Sequence, residues 1–124
     1  LQLELLYARQ KLIIDGRAAG VDVIDSSCLV INEPEDLKKE IEMVKQLGFD
    51  GKSVSHISQL SLINEAFNPS IEEIQYAQKV ISAFDKAKAA GSYYTILDGK
   101  KIDPPVVEKS EQVLEVAKSA GLLV

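Results

Sequence analysis

Gly48-Phe49-Asp50-Gly51-Lys52-Ser53-Val54-Ser55-His56-Ile57-Ser58-Gln59 joins a helix stop, a tight turn, a short strand and a polar strand end. A parallel βα unit delivers polar side chains to the carboxyl edge of a sheet in this order. Ligands bind at that edge in barrels and in open α/β sheets. Working backwards, Asn32 followed by Glu35 reads as a capping box with Pro34 in the first turn. The helix behind it carries Leu37, Ile41, Val44 and Leu47 on one face. Ahead of that helix, Val21-Asp22-Val23-Ile24 is a β-prone run, followed by Asp25-Ser26-Ser27 and a second apolar run from Cys28 to Ile31. Strand, helix and strand about 30 residues apart predict a right-handed crossover, with the strands at 21–24 and 52–55 parallel.

Further out, Leu3, Leu5, Leu6, Ala8, Leu12 and Ile13 recur at helical spacing up to Gly20. Leu1 opens directly into that pattern with no signal peptide ahead of it, as expected of a truncated or cleaved chain. On the other side, a short helix from Ser58 to Ala66 breaks at Asn68-Pro69, and Ser70 with Glu73 opens a long helix. Ile74, Ala77, Ile81, Phe84 and Ala87 line its apolar face as far as Gly91. Asp98-Gly99 predicts a hairpin turn, and Asp103 before Pro104-Pro105 reads as the N-cap of a last helix ending near Gly121. Two parallel strands alone leave both edges open and bury too little. The pattern therefore predicts part of a larger α/β body.

At 124 residues, with 46% hydrophobic and 27% charged positions, the chain has the size and composition of one globular domain. A net charge of −5 without a basic block argues against nucleic acid. No apolar run approaches the roughly 20 residues that span a bilayer. The one cysteine, Cys28, rules out an internal disulfide, fits a reducing cytoplasm and reads as a buried, inert thiol.

Few side chains stand out as candidates for chemistry. His56, the single histidine, follows a strand; it reads either as structural, hydrogen-bonded to a loop backbone, or as facing a ligand. It has no histidine or cysteine partner for a metal site. Ser55 and Gln59 flank it at the pocket mouth, while Ser58 is expected to cap the short helix. Asp25 either bonds a loop amide or orients catalytic groups. Asp103 is a helix cap on its local sequence alone. No pair of carboxylates is assignable to a hard cation.

The ordered series Leu5-Leu6-Tyr7-Ala8-Arg9, Ala18-Ala19-Gly20, Ile24-Asp25, Leu47 to Lys52, His56 with Gln59, Asn64 to Pro69 and Leu97 to Asp103 resembles the later part of the citrate lyase β-subunit family. That family lies within the HpcH/HpaI aldolase/citrate lyase superfamily, and the likeness runs from about residue 4 to 120. It implies an α/β fold: residues 1–91 as the last two βα units of a TIM (β/α)8 barrel, with residues 21–31 as its seventh strand and 52–55 as its eighth, and residues 92–124 as a hairpin and helix extension on a neighbouring subunit. It implies a Mg²⁺-dependent retro-aldol cleavage of a 3-hydroxy-acyl thioester, such as a citryl thioester giving oxaloacetate and an acetyl thioester. Malyl-CoA or citramalyl-CoA lyases and thioesterases share that fold. The thioester rides on coenzyme A or an acyl carrier protein, and the assembly is a cytoplasmic homo-oligomer, a trimer, with further lyase subunits as partners. By the same likeness Asp103 is catalytic in a neighbouring subunit's site. His56, with Ser55 and Gln59, binds the thioester arm, and the metal ligands lie outside this chain, which alone is expected to be inactive. Ile57 replaces the family's usual Pro after His, Ser55 a more usual apolar residue, Lys101 a common Met and Val30 a frequent Asp. A non-catalytic assembly module is the expectation if the chain folds as a stable monomer.

Overall fold

A computed structural model describes residues 2–123. The chain divides into two compact units at Phe67–Asn68. In the second unit α4 (Ile71–Ala89) packs on α5 (Pro104–Ser119) and on the hairpin between them.

In the first unit, a short 3-10 turn at Leu3–Leu5 leads into α1 (Leu6–Ala19), which ends at Gly20 with a left-handed φ of 70°. Gly16 lets α1 lie close to the following strand: a Cβ there would stand 2.3 Å from Val23 Cγ2. β1 (Ile24–Asp25) and β2 (Gly51–Lys52) pair in parallel, Ile24 opposite Gly51 and Asp25 opposite Lys52, as the spacing predicts. α2 (Pro34–Leu47) crosses between them and buries Leu37, Glu40, Ile41 and Val44 along one stripe. Gly48 stops it in the left-handed region. Val23, Val44 and Phe49 form one core cluster, and Cys28, Leu37, Ile41 and Ile63 a second. A 3-10 turn, Ile57–Gln59, and α3 (Leu60–Phe67) complete the unit.

Three local expectations are corrected. Cys28 to Ile31 is no strand: only Cys28 is buried, and the carbonyls of Cys28 and Val30 are taken by the Gln59 side chain instead of a neighbouring strand. The capping box at Asn32 does not form, because the helix starts one residue later with Glu33 as N-cap, and Glu35 pairs with Lys38 at 2.8 Å. The strands are also shorter than the β-prone runs, two residues each.

The second unit opens on the predicted capping box. Glu73 N–H donates to Ser70 Oγ at 3.1 Å, and Ser70 N–H donates to Glu73 Oε2 at 2.7 Å. β3 (Thr95–Leu97) and β4 (Lys100–Ile102) form an antiparallel hairpin. Asp98 and Gly99, both at positive φ (50° and 75°), make the mirror-image turn whose twist matches the strands. Val80 and Phe84 of α4 pack with Ile102 and Val107, so the hairpin closes over the helix pair.

Candidate active site at the strand ends

Residues on one face of a strand alternate with those on the other. Val23, just before β1, Asp25 of β1 and Lys52 of β2 lie on the side covered by helices, where all three are buried. Asp25 there meets two cations. Arg9 of α1 grips it bidentately, Nε to Oδ1 at 2.9 Å and Nη2 to Oδ2 at 3.0 Å. The Lys52 ammonium donates to Asp25 Oδ2 at 2.8 Å, to Glu40 Oε1 at 2.8 Å and to the Ser26 carbonyl at 2.6 Å. Arg9 Nη2 also reaches Glu40 Oε1 at 3.2 Å. Two cations and two anions, each 4–8% exposed, thus close a neutral quartet drawn from four elements.

Burial works to raise the Asp25 pKa, but hydrogen bonds from Arg9 and Lys52 outweigh it and hold the carboxyl below its ordinary value. Glu40 is balanced the same way, with burial opposed by Lys52, and is likewise held low. The Asp25 hydrogen bond raises the Arg9 pKa further. Asp25 therefore bonds a guanidinium and an ammonium, not the loop amide expected for it. The loop-amide role falls to Asp50, which accepts from Val23 N–H at 2.8 Å and from the Arg17 guanidinium.

Past β2 the candidate residues gather in one loop. Gln59 is 2% exposed and uses its whole amide internally. Its Oε1 accepts from Ser55 N–H (2.9 Å), while Nε2 donates to the carbonyls of Cys28 (3.1 Å) and Val30 (3.5 Å). Both amide donors are thereby spent inside the protein. Ser55 Oγ also donates to Cys28 O at 2.6 Å. Ser55 and Gln59 thus lash the loop after β2 to the segment after β1.

His56 is exposed and itself caps the turn that Ser58 was expected to cap: Ser58 N–H donates to Nδ1 at 3.2 Å. A backbone N–H can only donate, so Nδ1 is an acceptor and the neutral ring carries its proton on Nε2. Burial pushes the Cys28 thiol up, as suits a core residue.

Asp103 occupies the N-cap position of α5 in extended conformation (φ −133°, ψ 175°), yet its side chain caps nothing. Pro104 and Pro105 fill the first two helical positions and lack N–H groups. The next two donors, Val106 and Val107, are taken by the Asp103 carbonyl at 3.0 and 3.1 Å. The carboxylate, half-buried, is left without a partner among the described residues.

Residues 2–57 match the family model described as HpcH/HpaI aldolase/citrate lyase. Citrate lyase subunit beta of Leuconostoc mesenteroides subsp. cremoris is 37% identical over 120 residues, 97% of this chain and 40% of that protein. The Haemophilus influenzae citrate lyase subunit beta is 38% identical over 117 residues, 94% of this chain and 40% of its own length. The chain belongs to the HpcH/HpaI aldolase/citrate lyase family. Its fold agrees with a solved family structure, protein CitE from Mycobacterium tuberculosis in complex with magnesium, acetoacetate and coenzyme A. That likeness has a TM-score of 0.73 at 26% identity, over 90% of this chain and 40% of the other. The chain thus spans about 40% of the length of these family relatives.

Within the family motif Gly48 to Lys52, every residue now has a physical task. Gly48 ends α2, Phe49 fills the core and Asp50 holds Val23 and Arg17. Gly51 leaves room for Ile24, and Lys52 bridges the buried acids. Reading the sequence singled out Asp25 but not its partners Arg9, Glu40 and Lys52. The available signal was Glu40, a charge lying between Leu37 and Ile41 on the apolar stripe of α2. Among the described residues no group of three or more His, Cys, Asp or Glu side chains could hold a metal ion, and no helix is long and apolar enough to cross a membrane.

Proposed function

We propose that this chain is the C-terminal part of a magnesium-dependent carbon–carbon lyase of (β/α)8 barrel form. Residues 1–91 would be its last βα units and residues 92–124 an extension reaching a neighbouring copy in a cytoplasmic trimer. The enzyme would cleave a citryl thioester to oxaloacetate and an acetyl thioester. The observation that carries this reading is the unused carboxylate of Asp103, held beside α5 by a backbone that needs no side-chain cap. The likeness to citrate lyase subunit beta, at 37% identity, supports the substrate class. It favours a citryl over a malyl or citramalyl thioester.

The reaction is a retro-aldol step. The 3-hydroxyl loses its proton, the bond from the carbinol carbon to the thioester α-carbon breaks, and the resulting enolate takes up a proton to give the acetyl thioester. Asp103 is the group on this chain that moves a proton in that sequence. His56, its Nδ1 occupied by Ser58 N–H, would donate through Nε2 to the thioester arm carried by coenzyme A or a carrier protein. Ser55 and Gln59 position that loop through its ties to Cys28 and Val30. Magnesium would neutralise the developing negative charge when bound. The two close carboxylates here, Asp25 and Glu40, are already consumed by Arg9 and Lys52, so this chain's own residues do not fit the metal. Its ligands would come from outside the chain.

The test is turnover of citryl-CoA, malyl-CoA and citramalyl-CoA by the intact protein with Mg²⁺. Asp103→Asn should cut the rate by about 10²–10⁴-fold, the usual contribution of a positioned proton-transfer group. Undiminished turnover in that variant removes the assignment.

A further inference from the structure

The loop after β2 is held at His56 and at Gln59. His56, extended at φ −148° and ψ 147°, caps the turn Ile57–Gln59 with its ring. Ser58 N–H donates to Nδ1 at 3.2 Å, and Ser58 Oγ stands 2.9 Å from the same nitrogen. Gln59, the last residue of that turn, donates its backbone N–H to the His56 carbonyl at 3.0 Å. Its side chain crosses to the Cys28 carbonyl and accepts from Ser55 N–H. The turn then runs directly into α3 at Leu60. Ring, turn and cross-tie are therefore one connected piece.

A cap made by an imidazole depends on its charge. A backbone N–H needs a lone pair, and Nδ1 offers one only while the ring is neutral; both nitrogens of an imidazolium are donors. Protonation makes Nδ1 a donor to Ser58 Oγ and leaves Ser58 N–H facing another donor. Histidine is the side chain whose ordinary charge change falls between about pH 5 and 8. A contribution made only by the neutral ring is present at the upper end of that range and lost as pH falls. Among the described residues the ring bonds only Ser58, and no acid pairs with it. The turn packs on α3, whose one charged side chain is Glu65. Lys52 of β2 is spent in the buried quartet, and residues 26–32, tied to the turn through Gln59, carry no charge.

We propose that His56 is a pH-sensitive latch: the neutral ring holds the loop after β2 onto the segment after β1, and protonation releases it. The test is hydrogen–deuterium exchange of the intact protein at about pH 8 and about pH 5, the ends of the histidine range. Exchange is read by mass spectrometry, with the intrinsic pH dependence of amide exchange divided out. In the parent, peptides covering residues 28–31 and 55–60 should lose protection about fivefold at the lower pH, the factor that one helix cap is worth. Peptides from α4 should hold theirs. His56→Asn keeps an acceptor at the cap and cannot titrate, so it should stay protected at both pH values. His56→Ala should be loose at both. An equal response to pH in the parent and in His56→Asn, or full protection of His56→Ala at the higher pH, overturns the latch. No turnover enters this test, so it stands or falls apart from the lyase reading, which Asp103→Asn judges.

Discussion

Replacing Lys52 by methionine keeps the side chain's length and removes one charge from a buried site. Three acceptors lose a donor at once: Asp25 Oδ2 and Glu40 Oε1, each at 2.8 Å, and the Ser26 carbonyl at 2.6 Å. Arg9 remains, so the quartet goes from neutral to one uncompensated negative charge. Breaking a buried ion pair from one side costs about 3–5 kcal/mol. That is a large share of the roughly 5–15 kcal/mol that stabilises a domain. The assay is urea unfolding followed by far-UV circular dichroism at pH 7, reading the midpoint at constant slope. Glu40→Leu added to Lys52→Met leaves one cation facing one anion, and should recover at least half of the loss. A single-variant loss below about 1 kcal/mol, or a double variant less stable than the single, refutes the account, since either outcome lies outside what a buried pair should give.

The same account fixes a pH dependence. Burial pushes the Asp25 and Glu40 values up, but their cationic partners push them further down, and both end below ordinary. A carboxyl depressed in the folded state contributes stability that is present above its unfolded value, about 4. That contribution disappears as pH falls through the folded value. Stability should therefore fall as pH drops below about 4. Without Lys52 the acids are less depressed and the penalty is relieved by protonation, so the gap between parent and Lys52→Met should narrow over that descent.

Gly16→Ala gains helix propensity but sets a methyl 2.3 Å from Val23 Cγ2, so a net loss of about 1–3 kcal/mol is expected. Adding Val23→Ala should cost less than the sum of the two singles, read in the same urea titration. Gln59→Leu removes the acceptor from Ser55 N–H and one of the two donors to the Cys28 carbonyl, and should cost about 1–3 kcal/mol; an unchanged midpoint refutes the lashing role. Asp103→Ala should change stability by less than about 0.5 kcal/mol, where loss of a working N-cap would take about 1 kcal/mol.

What the sequence made legible was local. Gly20, Gly48 and Gly121 stop helices because positive φ is open to glycine, and all three are found there. Ser70 with Glu73 and Asp98 with Gly99 each satisfy their geometry within four residues, so no distant contact overrides them. The parallel pairing follows from a helix of fixed length between two β-prone runs. Cys28 to Ile31 misled because β-branched composition says nothing about whether a neighbouring strand is there to pair with. The Asp103 cap misled because the two prolines were read as helix-start signals, although they also remove the N–H groups a capping carboxylate would need. The quartet was hidden for another reason: its partners are 12 to 31 residues apart, and each looks like an ordinary charge in its own element.

The two cations of the quartet divide the work by shape, which argues that the cluster is built to fix backbone as well as to balance charge. The planar fork of Arg9 matches the two oxygens of Asp25 and ties α1 to β1. The Lys52 ammonium, a compact three-donor point charge, serves three acceptors from β1, α2 and the segment after β1. An arginine at 52 would have to spread a flat group among acceptors that surround a point. Because one of those acceptors is a main-chain carbonyl, the ammonium also fixes the direction in which the chain leaves β1.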